Sequence, residues 1–490
     1  MKRLFLKTSL VFCFTWPYFF LIYKLGLTFS IDNEEFLWAL KNTLIQSLGS
    51  AFFTLFIALF CVWGLVGLSS KKRKWLEKIC FSVSFVPSLF IMLAALQVVD
   101  PFPMGLAGIV LIHVWMNIGL VTIFLARYIE DQWAPYLDWA YIYQVSRFKY
   151  ILKVILPLSR KYILSLFVFV FSISFISFAI PLVVGGSQGT TIEVLIYEKI
   201  RIQGKWSEAL TLSLIQSLIT VVFIFFRKNS FSPKNLKISV QSARYFHSTT
   251  ALLVILFIHV VLFYGYMKGI WLGLGHWRFF INDGYYLLQQ LLGSWLVGLG
   301  SGVLTIVTFI VFAWFYKSRF LDLFLKIYLP PTTAVCGFAF LIATPNNSSL
   351  LVLSRIILAL VLTNIVFLYR LGWSDHIAQL KLQAQSAEFL GASPTMIFLH
   401  ILCPQVLPQI GRLAGLMAAW SLGDFALSRI LVNSDLTLAL TIETLLSSYR
   451  LHSASLLSFF LLVSGLLIFL IFSWGGHVLG QKLKASLSGF

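Results

Sequence analysis

Two stretches decide how the chain is built: D-W-A-Y-I-Y-Q-V-S-R-F-K-Y-I-L-K-V-I-L-P, Asp138 to Pro157, and Q-S-A-E-F-L-G-A-S-P-T-M-I-F-L-H-I-L-C-P, Gln385 to Pro404. Each is a mixed polar and apolar segment set between long apolar runs, and each closes on a proline. They align without a gap at an offset of 247 residues, from 138 to 385 at one end and from 157 to 404 at the other. The same offset carries Asn117 onto Asn364 and Ser177-Phe178-Ala179 onto Asp424-Phe425-Ala426. Random register would rarely keep these marks in step, so the chain reads as two tandem copies of one unit.

Working outward, the flanking runs set the solvent. The chain has 490 residues, 59% hydrophobic, 16% aromatic and only 11% charged, more apolar surface than a water-soluble domain of this size buries. Apolar stretches of about 20 residues recur throughout, the length of a helix that crosses a hydrocarbon core of about 30 Å. They fall near 8–27, 43–68, 79–99, 105–127, 161–184, 208–226, 250–270, 286–316, 325–344, 350–370, 408–432 and 454–475. The expected fold is an all-α polytopic membrane protein of about twelve transmembrane helices. An even number of spans separates the copies, which makes them parallel six-helix repeats. The division is 1–226 for the first repeat, 227–249 for a polar, basic linker, and 250–490 for the second.

A net charge of +19 raises the question of nucleic acid, but Lys and Arg sit in short clusters between apolar runs, as membrane topology requires. Clusters at Lys2-Arg3, Lys71-Lys72-Arg73-Lys74, Arg147 to Lys161, Arg227 to Arg244 and Lys482 to Lys484 fall on one side. By the positive-inside rule both termini are cytoplasmic. The basic, apolar start has the form of a secretory signal without a clean cleavage site, and is read as a retained first span. The cysteines at 13, 61, 80, 336 and 403 stand singly, so neither a disulfide nor a metal cluster is expected.

Each copy places about 30 residues between two spans on the cytoplasmic side, too many for a tight turn. A short amphipathic surface helix fits this length. In the first copy Ala140, Tyr143, Phe148 and Ile151 form its apolar stripe, and Pro157 marks where the chain leaves it for the next span. In the second copy Ala387, Leu390 and Phe398 match, with Gly391-Ala392-Ser393-Pro394 as a turn. Presented twice, such a helix is a docking surface for a two-fold symmetric partner.

The pattern E-A-A, then Gly six positions after the Glu, then a terminal L-P resembles the coupling loop of binding-protein-dependent ABC importer permeases. Ala140, Leu156, Pro157, Ala387, Gly391 and Pro404 keep that pattern, whereas Asp138, Gln144, Gln385, Ser386 and Cys403 depart from it. The resemblance implies an ATPase-coupling role for these positions. It also implies a homodimeric ATP-binding cassette ATPase on the cytoplasmic side, an external solute-binding protein, and a place in the bacterial inner membrane. No G-x-x-x-x-G-K-[ST] occurs, so ATP belongs to the partner and this chain is expected to be no enzyme and to bind no cofactor or metal of its own.

The resemblance extends to the fused two-copy permeases for thiamine or ferric iron. F-I-S-F-A-I-P-L-V-V-G-G-S-Q-G-T-T-I-E-V-L-I-Y-E, Phe175 to Glu198, and S-L-G-D-F-A-L, Ser421 to Leu427, look more like the thiamine group. Residues for the translocation path are Asn117, Ser177, Phe178, Glu193, Asn364, Trp420, Asp424 and Phe425. Asp424 lies among aromatic rings in an apolar segment, where it either lines the path and attracts a cation or pairs with Arg412 or Arg429. Asn117 and Asn364 read foremost as hydrogen-bond glue between helices, and His113 and His259 as satisfied bundle residues. Thr190-Thr191 and Glu193 suit the start of a short helix at an outer gate. A proton-coupled secondary transporter shares the gross architecture but needs a titratable relay, for which little beyond Asp424 is present.

Overall fold

The computed structural model describes residues 2–26, 32–186, 188–225, 242, 245–276, 284–315, 317–327, 332–343, 348–369 and 373–487. Most of the linker expected at 227–249 falls outside them. The described residues are helical, with no strand among them. In the first half the helices are α1 (Lys2–Leu25), α2 (Asn33–Leu65), α3 (Ser70–Phe85), α4 (Ser88–Val98), α5 (Leu106–Ile142), α6 (Arg147–Phe175), α7 (Ala179–Val184), α8 (Ile192–Arg201) and α9 (Trp206–Phe225). The second half continues with α10 (Thr249–Leu274), α11 (Gly284–Trp314), α12 (Arg319–Ile327), α13 (Thr333–Ala343), α14 (Ser349–Leu368) and α15 (Ser374–Phe389). It ends with α16 (Pro394–Leu422), α17 (Ala426–Leu431), α18 (Leu438–Ser447) and α19 (Leu451–Leu487).

Among the described residues, 8 helices are long and apolar enough to cross a membrane, and the bent pair α3 and α4 makes up to 9. Several apolar runs that read as single spans are divided. The run at 79–99 bends by 93° where Pro87, which has no N–H to continue α3, precedes α4. The runs at 161–184 and 408–432 break between α6 and α7 and between α16 and α17. α13 and α18 are apolar but short, with 11 and 10 residues. The repeat survives these divisions: α6 and α16 begin and end 247 residues apart, as do α7 and α17.

Contacts gather the chain into two compact units, Met1–Ile31 with Ile196–Ser217 and Gly273–Phe490, and Asp32–Leu195 with Leu218–Leu272. The units are not the two sequence halves, because each takes its first helix from the other half and Ile196–Ser217 of the first half also joins the unit of the second. In one unit α1 lies against α13, with Trp16 edge-on to Phe340 at 5.0 Å. In the other, α10 lies against α4 so closely that a Cβ on Gly265 would stand 2.4 Å from the Ala94 carbonyl oxygen. Small residues permit such approach between helices in lipid, where packing rather than water exclusion drives association. Lys268 adds a bond from Nζ to the Gln97 carbonyl at 2.9 Å.

Candidate functional site

The residues of the two aligned stretches form matching turns. α5 runs unbroken to Ile142, so the first turn is carried on the end of a long helix, where the spacing had suggested a separate surface helix. Pro135 favours a stop short of the turn, but the helical backbone continues through it to Ile142. In the second half α15, distinct from α14, carries the turn.

Both helices end in the same hydrogen bonds. Gln144 N donates to Tyr141 O at 3.1 Å and Val145 N to Ala140 O at 3.0 Å; Gly391 N donates to Glu388 O at 2.9 Å and Ala392 N to Ala387 O at 3.0 Å. This is the Schellman pair, which satisfies carbonyls left over at a helix end and requires a left-handed residue at the turn. Gln144 takes that conformation with φ 49° and Gly391 with φ 86°. The first turn therefore keeps its shape without glycine, at a backbone cost of about 1–2 kcal/mol that glycine avoids.

Each turn presents a pair of apolar side chains just ahead of the left-handed residue. Ile142 and Tyr143 are 67% and 77% exposed, and Phe389 and Leu390 are 93% and 88% exposed. Ala140 is buried while Tyr143 and Phe148 are exposed, so these residues do not share one stripe. The helical period stops where α5 stops, and residues beyond the turn cannot continue its face. Asp138 and Ala387 are half-buried, whereas Gln144 and Gln385 lie on the surface.

After each turn the chain enters a continuous helix of 29 residues, α6 or α16. Each contains one widened, five-residue-closed turn: Leu156 N reaches Ile151 O, and Cys403 N reaches Phe398 O. Pro157 and Pro404 follow immediately. A proline cannot donate to the carbonyl one turn back and its ring crowds that carbonyl, which a widened turn relieves. Leu156, Pro157 and Pro404 thus lie inside long helices, correcting the expectation that Pro157 marks the exit from a surface helix. At 1.5 Å per residue each helix is a rod of about 43 Å from turn to break.

The breaks also match. Ser177 N donates to Ser174 O and Asp424 N to Ser421 O, both at 3.3 Å, while Leu182 N reaches Phe178 O at 3.0 Å and Arg429 N reaches Phe425 O at 2.8 Å. Phe178 and Phe425 are buried. Half-buried Asp424 caps α17, its Oδ2 accepting from Ser428 N at 3.2 Å and Ser428 Oγ at 3.3 Å. Trp420 meets the Phe367 ring at 5.6 Å.

Asp424 finds neither arginine considered for it among the described contacts. Arg412 Nε turns back to Pro408 O at 3.3 Å. Arg429 donates from Nε to Glu443 Oε2 at 2.8 Å, and onward to Asp435 Oδ1 at 3.3 Å, Thr444 Oγ1 at 2.8 Å and the carbonyls of Asn433 at 3.1 Å and Leu440 at 3.2 Å. Arg201 donates to Asn433 Oδ1 in the same cluster. Burial holds the Arg201 guanidinium below its usual pKa; Tyr197 raises it and Arg429 lowers it further. This cluster escaped the sequence reading because Glu443 stands on α18, outside any helical spacing from Arg429.

In the first half Leu182 occupies the place of Arg429. There Asn42 Nδ2 holds the loop, donating to Gln188 O and Thr190 O at 3.1 Å each. The first N–H of α8 donates from Ile192 to Thr43 Oγ1 at 2.9 Å, so a hydroxyl of α2 does the capping expected of Thr190-Thr191. The first N–H of α18 is held in a similar way, from Leu438 N to Ser294 Oγ at 2.9 Å, although these residues do not stand at the 247-residue offset. Glu193, on the first turn of α8, is fully buried. Asn117 Nδ2 donates to His113 O at 2.8 Å and Asn364 Nδ2 to Leu360 O at 3.0 Å, each one turn back on its own helix rather than across to another.

A search of the curated proteins gives no match. Residues 54–230 match the family described as binding-protein-dependent transport system inner membrane component. That stretch, about a third of the chain, includes the first turn, α6, its break and α8, and over it the chain is similar to that family.

Proposed function

We propose that the whole chain is a fused two-copy permease that imports thiamine or its phosphates across the bacterial cytoplasmic membrane. In this reading the paired turns and both termini lie on the cytoplasmic side. Asp138, Ala140, Gln144, Leu156, Pro157, Gln385, Ala387, Gly391 and Pro404 shape the surfaces on which a homodimeric ATP-binding cassette ATPase docks. A loaded external binding protein docks at the opposite end. The chain holds no cofactor, and the ATP is used by its partner.

The observation that carries the reading is the recurrence of one Schellman turn, with two exposed apolar side chains ahead of it, at an offset of 247 residues. A two-fold ATPase closing on ATP grips two such knobs at once. Each knob leads into a rod of about 43 Å, so a displacement at the turn reaches the break at the far end of the same helix. ATP shifts the equilibrium through contacts that differ between the two states. The two breaks differ in sequence, with Ser177 and Phe178 in the first half at the positions of Asp424 and Phe425 in the second, and that difference suits an asymmetric solute. The capping carboxylate of Asp424, near Trp420, supports a cationic ring system as cargo.

Co-purification with candidate ATPases, followed by vitamin and iron uptake in a deletion strain, tests the proposal. The variants Tyr143→Asp and Leu390→Asp should insert normally yet lose the ATPase. Retention of the ATPase by the double variant would remove the docking role, and iron-specific rescue would replace thiamine as the solute. Uptake that needs no ATPase but collapses with the proton gradient would favour a secondary transporter.

A further inference from the structure

The end of the segment that joins the two halves is clamped onto the first turn. Tyr245 Oη donates to Val145 O at 2.7 Å, the residue whose own N–H closes the Schellman pair. The Arg147 guanidinium stands over the Tyr245 ring at 4.5 Å, and Tyr141 meets that ring at 5.8 Å. Tyr245 thus touches residues on both sides of Gln144. The next residue anchors it: Phe246 is buried, 5.7 Å from Trp63 and 6.0 Å from Tyr150. Ser248 N then donates to Trp63 O at 2.8 Å, and His247 Nδ1 lies 3.1 Å from Val66 O.

The second turn is held differently, by a half-exposed ion pair between Lys317 and Glu388. Exposed pairs of this kind add little to stability. The aromatic clamp therefore falls on the turn that has glutamine where the other has glycine. That is where left-handed backbone has to be held in place by something other than its own preference.

We infer that Tyr245 is a positioning residue for coupling: it holds the first turn in the geometry that Gln144 disfavours, so that Ile142 and Tyr143 meet the ATPase as Phe389 and Leu390 do. This rests on the reading of the turns as coupling surfaces. It also gives the joining segment a task beyond connecting two halves.

Amide exchange on the permease alone tests the brace without any partner. Tyr245→Ala should speed exchange at Val145 about tenfold through loss of the hydrogen bond and the cation–π contact, while Ala392 is unchanged. Tyr245→Phe keeps the ring and should cost about threefold. Adding Gln144→Gly to Tyr245→Ala should restore slow exchange, because glycine needs no brace. In the assembled transporter, cross-linking of the ATPase through Tyr143→Cys should fall with Tyr245→Ala and recover with Gln144→Gly, whereas cross-linking through Leu390→Cys should not change. Unchanged exchange at Val145, equal loosening of both turns, or no rescue by glycine overturns the brace while leaving the coupling reading intact. Failure of both cysteines to cross-link in an otherwise unaltered chain overturns the coupling reading and the positioning role with it.

Discussion

Replacing Gly391 with alanine isolates the backbone contribution of the second turn. A Cβ at this position meets nothing within 4 Å, so the substitution adds no clash and removes no contact. What it changes is the preference for φ 86°, which lies beyond the range of about +50° to +70° that L-residues use in the left-handed region. The expected cost is about 1–2 kcal/mol. It falls on the two bonds that define the turn, Gly391 N to Glu388 O and Ala392 N to Ala387 O. Exchange at Ala392 should therefore speed up roughly 5- to 30-fold. Gly391→Asn should lose less than Gly391→Ala, because asparagine visits the left-handed region more readily. If the turn couples to an ATPase as proposed, Gly391→Ala should also lower transport-linked ATP hydrolysis without lowering membrane insertion. Equal exchange in the glycine, asparagine and alanine proteins would refute the argument, since the turn would then not depend on its left-handed residue.

Arg429→Gln leaves Glu443 and Asp435, both largely enclosed, without their cation, and should destabilise the loop and α18 by about 3–5 kcal/mol, read as a fall in thermal midpoint. The triple variant Arg429→Met with Glu443→Met and Asp435→Asn, which removes both carboxylates together with their cation, should recover most of that loss. Asn42→Ala removes two neutral hydrogen bonds from the corresponding loop of the first half and should cost only about 1–3 kcal/mol, so an equal fall in both variants would show that charge is not what distinguishes the loops. Asp424→Asn keeps an acceptor for Ser428 N, whereas Asp424→Ala loses the cap at about 1 kcal/mol. If asparagine transports thiamine as the aspartate does, the carboxylate serves α17 and not the solute.

The repeat was legible because it is written in order: a proline, an asparagine and a Ser-Phe-Ala or Asp-Phe-Ala triplet keep one offset, and α6 and α16 follow it at both ends. The glycine of the second turn was legible for the same reason. The left-handed Gln144 was not, since glutamine has no preference for that conformation and only the closure of Val145 onto Ala140 reveals it. Hydropathy could not find the breaks at Ser177 and Asp424, because apolar residues continue on either side and a transfer scale does not record where backbone hydrogen bonds stop. Nor could it find the exchange of α1 and α10, whose composition suits any neighbour in lipid. The amides of Asn117 and Asn364 look like bridges in sequence, yet each has a carbonyl within reach on its own helix.

If the two turns are coupling surfaces as proposed, the matched rods and unmatched ends together constrain how the molecule responds to a motor. α6 and α16 have the same length, a widened turn near the end that follows the Schellman turn and the same break at the far end, so equal displacements at the two turns would arrive equally at Ser177 and Asp424. What they meet there differs. In the first half the loop beyond the break is held by a neutral amide, Asn42, on two carbonyls; in the second it is held by an arginine bound to two carboxylates. Separating a neutral hydrogen bond costs about 0.5–1.5 kcal/mol, whereas breaking an enclosed ion pair costs several times more. If the turns couple as proposed, a symmetric push loosens the first loop before the second, and the response is one-sided even though the lever that drives it is not.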